Sequence, residues 1–104
     1  MTDFFPAANV RRDPEDIELV LQVTPQQLSD WLAWHFQGLP EQYMKQIRDL
    51  EALRNGLSPI FGVFREGDTL WLGRSRQYGP LYGHEGIALV RDGWPIVYIR
   101  ALNH

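Results

Sequence analysis

The feature that most constrains this chain is the junction Val23-Thr24-Pro25-Gln26-Gln27-Leu28, where an alternating segment gives way to a helix. Thr24 is a natural N-cap, Pro25 occupies the first helical position, and Gln27 stands three residues after Thr24 to complete a capping box. Val23 and Leu28 fall where a hydrophobic staple sits. The pattern predicts a helix from Pro25 to about Gln37, with Leu28, Trp31, Leu32, His35 and Phe36 on its buried face and Gly38 ending it. Pro40 opens a second helix after a short turn. Its apolar positions Tyr43, Met44, Ile47, Leu50 and Leu53 recur at helical spacing up to the stop signal Asn55-Gly56. The two helices are expected to form an αα-hairpin.

Two readings meet just before the junction. Asp13-Pro14-Glu15-Asp16 resembles a helix start, while Ile17, Leu19, Leu21 and Val23 alternate with other residues as in a strand. The strand over Ile17–Val23 is preferred. After Pro59 the period becomes strand-like. Ile60–Phe64 and Thr69–Leu72 flank Arg65-Glu66-Gly67-Asp68, and Ile87–Val90 and Ile96–Arg100 flank a type I′ turn signal, Asp92-Gly93. The expected fold is α+β and two-layered. An αα-hairpin packs on an antiparallel sheet of four to five strands, in the order β-α-α-β-β-β-β with the first strand open. Residues 1–13 are expected to be an irregular arm, pinned by Phe4 and Phe5, and 14–104 a single domain.

Composition excludes several functions. The net charge of −3 gives no general pull toward nucleic acid or anionic membranes. The absence of cysteine removes disulfides, thiolate nucleophiles and cysteine metal sites. No apolar run approaches the ~20 residues that span a bilayer, and the N-terminus lacks a signal-peptide pattern, so a soluble cytoplasmic protein without membrane contact is expected. The three histidines, His35, His84 and His104, share no ligand spacing, so neither a metal nor another cofactor is expected. No serine lies in a nucleophile elbow, and no Gly-Lys-Ser/Thr follows the glycines of the 73–86 segment.

That segment, Gly73 to Gly86, holds four glycines and no clear period, which marks it as a long connection of the kind often used for function. Arg74 and Arg76 offer planar forks for carboxylate or phosphate, and Tyr78 and Tyr82 offer aromatic anchors; Trp71 lies on the preceding strand. These five are the candidate binding residues. The competing reading is a packed connector. His84 is a weak catalytic candidate, a general base with a loop arginine as electrophilic partner. Adjacent residues of a strand point to opposite faces, so Glu85 is poorly placed to orient it. Interleaved cations and rings also suit single-stranded nucleic acid, against which the acidic balance and the lone lysine, Lys45, weigh.

The stretch from Gly83-His84-Glu85-Gly86 through Asp92-Gly93 resembles the His-bearing hairpin of NlpC-type cysteine peptidases. The resemblance covers about a tenth of the chain and implies a cysteine nucleophile on an earlier helix. No cysteine is present, so that chemistry is excluded.

Ile60–Phe64, read as a strand, is apolar on both faces, and a two-layer domain covers only one face of its sheet. An association surface follows. The expected function is therefore a small non-catalytic interaction protein of accessory, adaptor, inhibitor or immunity type, binding a protein partner or itself through a sheet face and the 73–86 loop.

Overall fold

The structure, a computed structural model, describes residues 3–76 and 83–103. Five strands and four helices follow one another as β1 (Val10–Arg12), β2 (Ile17–Val23), α1 (Pro25–His35), α2 (Glu41–Arg48), α3 (Leu50–Gly56), α4 (Ser58–Phe61), β3 (Thr69–Ser75), β4 (His84–Arg91) and β5 (Trp94–Asn103). The strands form one antiparallel sheet in the order β1-β5-β4-β3-β2. The fold is the expected α+β arrangement with the helices gathered on one sheet face.

The junction behaves as its local chemistry dictates. Thr24 Oγ1 accepts from the Gln27 backbone N–H at 3.1 Å, and Gln27 Oε1 accepts from the Thr24 N–H at 2.9 Å. Leu28, Leu32 and Ala33 of α1 are buried with Ile47, Leu53, Leu57 and Ile60 of the following helices and with Leu70, Ile87, Leu89, Val97 and Ile99 of the sheet. His35, expected on this buried face, is exposed and packs its ring 4.7 Å from that of Trp31. The Asp92-Gly93 turn has both residues at positive φ, 53° and 82°, as a type I′ turn requires.

Three expectations are corrected. The second helix breaks at Asp49, whose extended backbone (ψ 114°) and side chain, accepting from the Glu51 and Ala52 N–H groups, cap a new helix. Ile60–Phe64 is not a strand. Ser58 and Pro59 begin one more helical turn, with the Phe61 N–H donating to the Leu57 carbonyl and Ile60 fully buried. Arg65-Glu66-Gly67-Asp68 consequently links a helix to β3 rather than two strands. The two-faced apolar strand, and the association argument built on it, fall away. Finally, Val10–Arg12 is not irregular but pairs with Val97–Ile99 of β5.

The edge strands β1 and β2 are joined by residues 13–16 alone. Four interstrand spacings amount to ~19 Å in a flat sheet, while the five steps from Arg12 to Ile17 reach at most about 18 Å. The link must also run lengthwise, because Arg12 pairs at the level of Val97 and Ile17 at that of Ser75. The sheet therefore coils until these corners approach. Arg11 and Asp16, on either side of the link, form an ion pair at 2.8 Å. Beneath the link lies a second cluster, Ile17, Ala88, Val90 and Tyr98, with Leu19 and Trp71 packed against it.

A β-bulge at Val20 lets one strand serve both clusters. Before it, Ile17 and Leu19 face the second cluster; after it, Val23 enters the helical core.

Candidate functional site

The sequence-derived residues separate in space. Trp71 faces away from the helices, half buried in the second cluster, and its Nε1–H donates to Thr69 Oγ1 at 3.0 Å. Three positions along the same strand, Arg74 lies on the opposite face by alternation, with Nη2 3.3 Å from Glu18 Oε1 on the neighbouring strand. Arg76 is exposed and ties β3 to the link. Its N–H donates to the Asp16 carbonyl at 2.9 Å, and Nε donates to the Glu15 carbonyl at 3.4 Å. Tyr78 and Tyr82 lie outside the described residues. The connection itself is shorter than the sequence suggested: β3 runs through Gly73 and Arg74 to Ser75, and β4 begins at His84. Gly73 and Gly86 face one another across the strands beneath the ring of Tyr98. These glycines make room for a ring and do not loosen a loop.

His84 is oriented by Tyr98. Nδ1 lies 2.8 Å from Tyr98 Oη, and the ring centroids are 5.4 Å apart. Burial pushes the Tyr98 hydroxyl above the usual tyrosine range, so it stays protonated at neutral pH. Burial, then the charges of Arg100 and Arg11, hold the His84 imidazole below its ordinary value, against the pull of Asp16. Nδ1 and the Tyr98 hydroxyl share one hydrogen bond, whose donor is set by the tautomer of the ring. A base at Nδ1 is thus already engaged by a fully buried partner. Arg74, one of the two loop arginines proposed to accompany it, is on the other face.

A recess with mainly apolar walls lies elsewhere. Phe4, Phe5, Leu32, Phe36, Leu39, Tyr43 and Ile47, with Asp3 and Gln46, line a groove of about 500 Å³ between the N-terminal arm and the α1–α2 turn. The arm is fixed by main-chain and side-chain contacts. The Phe4 N–H donates to the Gly56 carbonyl at 2.7 Å, and the Phe4 ring lies so close over Gly56 that a Cβ there would strike it. Ser58 Oγ donates to Asp3 Oδ1 at 2.6 Å. Phe5 meets Phe36 with centroids 6.1 Å apart. Leu32 and Ile47 form the buried floor, while Leu39 (41% exposed) and Tyr43 (47% exposed) stand at the rim. Sequence reasoning saw Phe4 and Phe5 as pins for the arm and Tyr43 as a core position. The signal it missed was Leu39, an apolar residue in a Gly-Leu-Pro turn where packing needs none.

Among the described residues, no group of three or more His, Asp or Glu side chains could hold a metal ion, and no helix is long and apolar enough to cross a membrane. No known protein family, curated protein or solved structure matches the chain.

Proposed function

We propose that this chain is a non-catalytic interaction module that takes an apolar side chain of a protein partner into the groove between the N-terminal arm and the α1–α2 turn. The observation that carries this reading is the rim: Leu39 and Tyr43 remain about half exposed above a floor of Leu32 and Ile47 that is closed to solvent. A recess of several hundred Å³ with apolar walls and few polar groups is the usual form of a binding site. Exposed apolar residues grouped around such a recess, rather than scattered, mark an interaction surface. The placement of Arg74 on the sheet face opposite His84 speaks against their pairing in the acid–base alternative. The lack of cysteine suits a cytoplasmic setting.

A neutral mimic of one side chain, N-acetyl-phenylalanine amide, tests the reading. Added at millimolar concentration to the ¹⁵N-labelled protein, it is expected to shift the amide signals of Phe5, Leu32, Leu39 and Tyr43 in a saturable way. Unchanged groove signals, or shifts confined to the strands, would reject it.

A further inference from the structure

We infer that the segment received by this groove carries a basic residue beside its apolar anchor. The inference rests on the proposed binding role and adds the chemistry of the partner. Among the described residues, the groove's polar lining consists of one carboxylate, Asp3, one amide, Gln46, and the hydroxyl of Tyr43, with no Lys, Arg or His. Asp3 is exposed at the mouth and held in place by Ser58. One hydroxyl donor leaves most of a carboxylate's acceptor positions open.

The basic residues of α2 do not offset this charge. Lys45 and Arg48 line a neighbouring depression, with Glu41, Met44 and Asp49, that shares only Leu39 with the groove, and Arg48 lies 3.4 Å from Asp30. The whole chain carries a net charge of −3, so a basic segment is also favoured during approach. An apolar anchor flanked by an acid would instead bring its carboxylate against Asp3, with no Lys, Arg or His among the described lining residues to receive it.

The test compares two blocked tripeptide amides, Lys-Phe-Lys and Glu-Phe-Glu, by titration into the ¹⁵N-labelled chain at low salt. The basic peptide is expected to bind at least about fivefold more tightly, the ratio that about 1 kcal/mol of surface charge interaction provides. The Asp3→Asn variant, which can still accept from Ser58, is expected to lose that preference. Equal or tighter binding of the acidic peptide would overturn the inference and leave the groove reading standing. A preference that survives Asp3→Asn would overturn it too, since the charge would then be read elsewhere. If no probe perturbs the groove, both fail.

Discussion

Arg91 grips Asp68 through two parallel hydrogen bonds, Nε to Oδ1 at 3.0 Å and Nη2 to Oδ2 at 2.8 Å. The Asp68 carboxylate is also the acceptor for the Arg65 N–H at 2.8 Å, and Arg91 Nη2 donates to the Val63 carbonyl at 2.9 Å. One ion pair thus fastens the whole passage from α4 to β3 onto the end of β4. The aspartate side chain is only 2% exposed, which separates this pair from the three surface pairs, whose side chains are 41% exposed or more.

Removing Asp68 leaves the part-buried Arg91 guanidinium and the Arg65 N–H without their acceptor. Asp68→Ala is therefore expected to lower the Tm by about 10 °C or more, whereas Asp30→Ala, which breaks the exposed pair with Arg48, should shift it by no more than a few degrees. Thermal unfolding followed by circular dichroism distinguishes the two. Equal, small shifts would mean that the passage is held by packing alone.

Asp68 and His84 are among the groups expected to shape the acid limb of stability. Hydrogen bonding from Arg91 holds the Asp68 carboxyl below its ordinary value of 3.8. Its folded pKa is depressed, so its contribution is complete above about pH 4 and is lost as pH falls through the folded value. His84 is also depressed, from 6.5, chiefly by burial. Here the unfolded chain takes up the proton first, so stability should be level above about pH 6.5 and decline as pH drops below it. Urea titrations between pH 7.5 and 5 should show that decline in the parent and a flatter profile in His84→Gln. Parallel profiles would show that His84 titrates alike in both states.

Two glycines that face each other across β3 and β4 should respond very unequally to a Cβ. A Cβ on Gly86 would run into the Ile99 carbonyl and the Tyr98 ring, whereas one on Gly73 would make ordinary contacts of 3.4 Å with the Glu18 carbonyl and 3.5 Å with Tyr98. Gly86→Ala is expected to destabilise by about 3 kcal/mol or more, as overpacking of backbone against backbone does. Gly73→Ala should stay within about 1 kcal/mol of the parent, since a compatible alanine also reduces the freedom of the unfolded chain. Comparable losses in chemical denaturation would contradict the placement of the Tyr98 ring.

Some of the molecule could be read residue by residue. The start of α1 was legible because Thr24 and Gln27 bond to each other's main chain across three residues. The span of β2 was legible from its alternation, and the β4–β5 turn from two residues that tolerate positive φ. The candidate site was less legible. Phe4 and Phe5 were recognisable as anchors, but the groove beside them exists only because Leu39 and Tyr43 of the helical turn come to stand opposite the arm. The glycines of the 73–86 segment were misleading for a related reason. Gly73 and Gly86 serve a ring that the sequence places 25 and 12 residues away.

The sequence by itself determined which stretches turn and which extend wherever the deciding contacts lie within a few residues: the capping box, the staple, the Asp-Gly turn. Tertiary structure decided the rest. It made Ile60 part of a helical turn under the sheet, bulged β2 at Val20 so that Ile17 and Val23 serve different cores, drew β1 onto β5, and coiled the sheet until Arg11 met Asp16. In each case a short apolar run is compatible with more than one backbone, and the choice falls to whichever buries it against surfaces contributed from far along the chain.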